Sequence, residues 1–349
     1  MKNNRMNRRL PAEWESQSAI QFTLPHRQSD WSPYLQEVLS CFRDLLRLIT
    51  PTQRVVLVCE DKVEAKAALG ASLDWRNILL FELPANDTWA RDHGPIIVLE
   101  DDKPIVLDFT FNGWGDKFPS ADDNLITTGL WNQGAFGDTE KRTIELVLEG
   151  GSIESDGDGT IISTAQCLDH PKRNPSFSRA ELMGRLEKEF GAKRIIMLEH
   201  GYLTGDDTDA HIDTLVRFCN PQTLAYVKCD DPEDMHYDEL QRMEKVLQSW
   251  KTLGGLPYHL IPLPLPDACY DPEDGHRLPA TYANFIITND LVIVPTYQQE
   301  KDKIALERLQ TCFSDRKVVG VNALPIIRQH GSLHCLCMQY PAGALKQLN

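Results

Sequence analysis

Residues 209–229 read DAHIDTLVRFCNPQTLAYVKC. Two apolar runs flank Asn220-Pro221. Asn tolerates turn conformations and Pro fixes φ, so a hairpin is predicted there. Downstream, Leu240, Met243, Val246, Leu247 and Trp250 recur at spacings of three and four, which predicts a helix over 234–251. Residues 258–265 then return as a strand broken by prolines. The unit is therefore strand, strand, helix, strand, and it recurs. It is read in 282–296 with a turn at Asn289-Asp290, helix 301–312 and strand 317–321. It is read again in 151–168 with a DGDG turn, helix 178–190 and strand 194–198. In 89–112 the hairpin turns at EDDK and no clear helix follows. The chain ends supply a fifth unit: strand 331–339 pairs with 19–24, followed by helix 33–49 and strand 54–59. Such closure removes an exposed sheet edge. The class is α/β. With no Ser/Gly-rich linker, 1–349 is expected as one domain, with 1–9 a disordered head. Periodicity alone leaves a Rossmann-like sheet and a ring of small units both open. The lack of GxGxxG and GxxxxGK[ST] counts against nucleotide-binding versions.

Composition narrows the partners. Of 349 residues, 42% are hydrophobic and 25% charged, an ordinary globular balance. With 36 basic against 51 acidic residues the net charge is −15, which disfavours nucleic acid and anionic membranes and favours small cations. No apolar run reaches the ~18 residues of a membrane span. MKNNRMNRRL is basic but precedes no hydrophobic segment, so it is not read as a secretory leader. Nine scattered cysteines, among them Cys59, Cys219 and Cys229 in apolar runs, suggest reduced thiols and a cytoplasmic setting. No CxxC pair suggests structural zinc. A homo-oligomer stays open.

Four stretches carry reactive groups. NDTWARDHGP, 86–95, packs acids, Arg91, His93 and Trp89 at a strand entrance. Either Arg91 simply pairs with Asp87 or Asp92, or the acids await a cation and the Trp89 indole offers it a flat apolar face. In LVLEGGSIESDGDGT, 146–160, Glu149 ends an apolar run and precedes two glycines, a sign of close approach to the backbone. DGDG lacks the further ligands of a calcium loop, and a hairpin turn explains it. In GDDTDAHIDTLVRF, 205–218, His211 and Asp213 are two apart and share a strand face. Catalytic, structural and metal-binding readings stay open here, the last with Asp207, Asp209, His211 and Asp213 as ligands. In GSLHCLCMQYP, 331–341, Cys335 and Cys337 share a strand face, while His334 points the other way and makes a poor base for Cys335. A buried cysteine in such a run is ordinarily packing; it is a nucleophile only where thiolate is favoured. Asp92, Glu149, His211 with Asp213, and Cys335 each lie where the inner strand of a unit begins or ends. In a closed ring those points converge.

WARDHGP, LEGGSIESDGDGT, DAHIDTLVRF and HCLCMQYP together, with PAEWESQSAIQFTLP near the start, resemble the agmatine deiminases. These group with bacterial-type peptidylarginine deiminases in the guanidino-modifying, or pentein, superfamily. The match covers about residues 10 to 341. It implies a five-bladed α/β propeller of ββαβ units with a central site. It implies Cys335 as nucleophile, His211 as general acid/base, Asp92 and Asp213 as guanidinium-binding carboxylates, Glu149 as a further acid, and Trp89 packing the substrate. The implied reaction is agmatine plus water to N-carbamoylputrescine plus ammonia, a step of polyamine biosynthesis. It passes through an amidino-cysteine intermediate and uses neither a metal nor an organic cofactor. Asp207 and Asp209 are candidates for the substrate amine or for turn formation. A peptidylarginine deiminase or other guanidino hydrolase on the same fold, a metal-dependent hydrolase and a catalytically dead binding relative are the alternatives. Where well-known members carry Gly-Gly-Gly-Asn before the His-Cys, this chain has RQHGSLHC. That departure concerns the pocket for the substrate tail.

Overall fold

The repeat becomes five sheets of three or four strands and one two-stranded ribbon in the computed structural model, which describes residues 7–346. In every unit the first strand pairs antiparallel with the second, and the second pairs parallel with the third. The units are Ile96–Glu100, Lys103–Thr110 and Glu140–Val147; Ile153–Ser155, Thr160–Thr164 and Arg194–Leu198; Val216–Asn220, Thr223–Lys228 and His259–Pro264; Ile286–Ile287, Leu291–Thr296 and Lys317–Asn322. The fifth closes the chain on itself: Cys337–Pro341 pairs with Gln17–Thr23, which pairs with Arg54–Cys59. A parallel pair needs a crossover, and a helix supplies it in each unit. Leu35–Ile49, Arg179–Phe190, Tyr237–Ser249 and Glu300–Cys312 are the crossovers the periodicity predicts. In the remaining unit the crossover is broken into Gly113–Asp116 and Ile126–Asn132, too short to show a helical period.

Local chemistry sets these boundaries. Asp101 and Asp102 both take left-handed φ, 49° and 62°, the pairing a two-residue hairpin turn demands at EDDK. Ser178 and Glu181 form a reciprocal capping box at one helix start, and Gly191, φ 64°, ends that helix in the left-handed region. Val38, Phe42, Leu45, Leu46 and Ile49 form the buried stripe of Leu35–Ile49. They pack on Ile20, Phe22, Val55 and Leu57. The alternate residues of the same strands, Ala19, Val56 and Val58, join a separate core with Phe136 and Tyr340. The sheet is thus covered on both faces, as parallel strands require.

Three expectations are corrected. Residues 1–6 of the expected head lie outside the described residues, but Arg8–Arg9 pair as a strand with Leu99 and Glu100. Arg8 fixes that pairing through Glu100, its Nε 2.8 Å from Oε2. The closing strand begins at Cys337, not 331, because residues His334–Leu336 form a 3-10 turn. Helix Lys62–Leu69 and a further parallel strand, Ile78–Glu82, extend the fifth sheet beyond the repeat. No helix among the described residues is long and apolar enough to cross a membrane.

Candidate active site

The segment just before the inner strand of each unit delivers one part of a single buried cluster. Asp92 lies in the short helix Ala90–His93 before strand Ile96–Glu100. Glu149 precedes the turn Gly150–Ser152. His211 and Asp213 belong to the turn Ile212–Thr214 and its entry, reached through left-handed Asp209 and Ala210. Cys335 sits in the turn His334–Leu336. These five predicted residues are brought together by tight turns; the strand alternation expected for His211 with Asp213 and for Cys335 with Cys337 is not what places them. Cys337 does not join them. It lies on the strand, and its thiol turns back to the His334 carbonyl.

Gly151 marks the centre. A Cβ there would lie 2.6 Å from His211 Nδ1, 2.8 Å from Asp92 Oδ1 and 3.2 Å from Asp213 Oδ2. Only hydrogen fits, which is the physical content of Glu149-Gly150-Gly151. The Gly151 amide donates to Asp92 Oδ1 at 3.0 Å, and the Trp114 indole donates to Oδ2 at 3.0 Å. His211 Nδ1 is 3.6 Å from Asp92 Oδ1, and its Nε2 is 3.9 Å from Glu149 Oε2. Among the described residues neither ring nitrogen has a hydrogen-bond partner, and neither has Asp213 Oδ1. Buried polar groups are ordinarily bonded, so these atoms retain unused hydrogen-bonding capacity. Cys335 Sγ is 3.8 Å from Asp213 Oδ2 and 3.4 Å from Asn284 Oδ1.

The three carboxylates have different backing. Arg173 Nε holds Glu149 at 2.8 Å, and the same guanidinium reaches Asp209 and the Thr208 carbonyl. Asp213 Oδ2 faces His334 Nδ1 at 2.7 Å; His334 Nε2 faces Glu13 Oε2 at 2.9 Å, and Arg217 closes the chain on Glu13. Asp92 has only neutral donors. Burial accordingly pushes its carboxyl up to about 6, against the pull of His211. Burial acts on Asp213 too, but the His334 bond and nearby cations hold it below the usual range. Glu149 is likewise kept low, since His211 and Arg173 outweigh burial. Burial alone would strip the His211 proton; Asp92, Cys167 and Glu149 hold it well above the ordinary histidine range. Burial, Asp213 and Asp92 drive the Cys335 thiol far up. These causes favour the thiol form of Cys335 over the thiolate.

Cys335 opens onto a cavity lined by Asp30, Asp87, Trp89, Asp92, Trp114, Asp207 and His330, among others. Among the described residues no lysine or arginine lines it. Trp89 forms one wall, and Asp87 is pinned by indole donors from Trp31 at 2.7 Å and Trp89 at 3.0 Å. Asp207 is on the lining; Asp209 is not, being spent on Arg173 and on Lys117 at 2.9 Å. The ligand set Asp207, Asp209, His211 and Asp213 is thus not assembled. Among the described residues, the two buried groups with metal-ligand spacing are Glu149–Cys167–His211 and Glu13–Glu154–His334. In each an arginine already holds the carboxylates. Arg91 pairs with neither Asp87 nor Asp92: its Nη1 donates to Gln339 Oε1 at 2.7 Å.

Asn284, Trp114, Arg173 and Glu13 were missed from sequence. Asn284 had a signal. It lies two residues before the inner strand Ile286–Ile287, the position equivalent to Cys335 before Cys337. Its Oδ1 accepts from the His334 and Cys335 amides at 2.9 and 3.2 Å, and its side-chain amide donates to the Asp213 carbonyl at 3.3 Å. Trp114 (φ 57°) and Arg173 come from irregular segments where no period points to them.

Several known deiminases are similar to this chain. A family model described as Porphyromonas-type peptidyl-arginine deiminase matches residues 9–341. A protein of Shewanella sp. strain MR-7, provisionally named an agmatine deiminase, is 32% identical over 96% of this chain and 94% of its own. A solved structure from Porphyromonas gingivalis, provisionally named an arginine deiminase, is 45% identical with a TM-score of 0.93, covering 97% of this chain and all (100%) of its own. A cysteine-to-serine variant of the C. jejuni agmatine deiminase, solved with substrate bound, is 36% identical with a TM-score of 0.91, covering 99% of each chain.

Proposed function

The chain belongs to the Porphyromonas-type peptidyl-arginine deiminase family and shares the pentein α/β fold of the guanidino-modifying enzymes, and from that premise we propose that it hydrolyses agmatine to N-carbamoylputrescine and ammonia. The observation carrying the choice of substrate is the cavity lining: Asp30, Asp87, Asp92 and Asp207 with no lysine or arginine among the described residues. Agmatine is a dication with no carboxylate. Free arginine would bring its carboxylate against those acids.

A guanidinium stays protonated at physiological pH, and its charge is spread over three nitrogens. Asp92 and the unpartnered Asp213 Oδ1 accept from its N–H groups and fix its plane. Its positive charge offsets Asp92 and Asp213, the same acids that suppress thiolate in the empty site, so Cys335 loses its proton to solvent as the cation enters. The thiolate adds to the central carbon. No oxyanion forms at this step, and the carboxylates stabilise the cation under attack. His211, protonated at the start, gives its proton to the departing ammonia. It then takes one from the water that splits the amidino-thiol. Glu149 and Asp92 hold the imidazolium between them, and Trp89 walls the alkyl chain. Glu149 is itself held by Arg173.

The assay is ammonia and ureido product from agmatine, free arginine and a blocked arginyl peptide. Agmatine is expected to give the highest kcat/KM, and Cys335→Ala to remove turnover. Activity on the peptide but not on agmatine overturns the substrate; turnover in Cys335→Ala overturns the mechanism. The carboxyl of Asp92 also sets a pH dependence. It binds the cation only when ionised, so kcat/KM is expected to fall about tenfold per pH unit below about 6. An acid limb that starts only below pH ~4, the ordinary aspartate range, would show that Asp92 is not that group.

A further inference from the structure

His330 stands in the left-handed region with φ 66°. A non-glycine residue there carries strain that the surroundings must hold in place. Three contacts do so. The His330 Nδ1–H donates to the Gly205 carbonyl at 2.8 Å. Its ring stacks on His276 with centroids 5.3 Å apart and planes 23° from parallel. Next to it Gly331 lies so close to Trp89 that a Cβ would fall 2.3 Å from the ring. His276 comes from the turn between the ribbon strands Cys269–Tyr270 and Arg277–Leu278. Arg328 fastens that turn through Glu273 at 2.8 Å and packs 3.8 Å over the Tyr34 ring. The imidazole thus clamped lies on the cavity wall with Asp207 and Asp30, in the cavity that Asp92 and Cys335 also line. Glycine would take the same φ freely and leave that wall open.

We propose that His330 is a specificity-determining residue: its clamped imidazole narrows the outer cavity beside Asp207, admitting a slim cationic tail and excluding a guanidine that continues into a peptide backbone. The inference rests on the deiminase reading of the site and concerns only which tail is accepted. A flexible side chain at this position would swing aside for a bulky substrate. A strained, stacked and hydrogen-bonded one does not.

The experiment compares kcat/KM for agmatine and for a blocked arginyl peptide in wild type, His330→Gly and His276→Ala. His330→Gly is expected to fold at least as stably as wild type, because the strain is relieved. It should raise the peptide-to-agmatine ratio about tenfold or more, the range a reshaped pocket commands. His276→Ala, which removes only the stacking partner, should move the ratio the same way by less. Wild type that turns over agmatine, with a ratio unmoved within about twofold in folded His330→Gly, overturns the role of His330 alone. Wild type that prefers the peptide, or deiminates neither, overturns both the role and the reading it rests on.

Discussion

Gly151→Ala is expected to lower kcat/KM at least about a hundredfold while the protein stays folded. The backbone is not the obstacle, since Gly151 is not among the glycines in the left-handed region. The obstacle is the methyl group, placed 2.6 Å from His211 Nδ1 and 2.8 Å from Asp92 Oδ1. Both atoms must retreat toward ordinary van der Waals distance, and a shift of about 1 Å at reacting groups costs that much rate. Overpacking of this size costs about 1–3 kcal/mol of stability, which thermal melting reads separately. Activity within about threefold of wild type would mean that the three side chains do not converge on this point.

His334→Ala is the second large effect. It removes at once the partner of Asp213 Oδ2 and one partner of Glu13, both buried. Both nitrogens of the ring contact a buried carboxylate, so the truncation leaves two acids short of a partner. Breaking such a buried arrangement costs on the order of 3–5 kcal/mol, to be measured by urea denaturation. The sign at Asp213 follows from what is lost. Its carboxyl is held low by His334, so without the ring it rises, and the acid limb of kcat/KM should steepen as Asp213 titrates alongside Asp92. A folded variant with unchanged stability and an unchanged limb would show that the chain from Asp213 to Glu13 is passive packing.

These two cases separate what the amino-acid sequence reveals from what it hides. The repeat was legible because helix stripes such as Leu240, Met243 and Leu247 and hairpin turns such as Asn220-Pro221 are local signals. Asp92, Glu149, His211, Asp213 and Cys335 were legible because each lies just ahead of the inner strand of a unit. Applied to every unit, that same rule reaches Asn284. The supports were not legible. Glu13 meets His334 across 321 residues, and Arg91 meets Gln339 across 248. Nothing in either neighbourhood announces a partner so distant. The turns that carry Cys335 and Asp213 were read as strand because an apolar run cannot distinguish a strand from a single tight turn entering it.

The strand behind Cys335 docks on Gln17–Thr23, spanning nearly the whole described chain. During translation every other site residue leaves the ribosome before the thiol does. The first strand must wait, its edge unpaired, until the far end arrives, and closing so long a span is slow. A polypeptide that stops short of Cys335 therefore lacks both the sulfur and the strand that closes the fifth sheet.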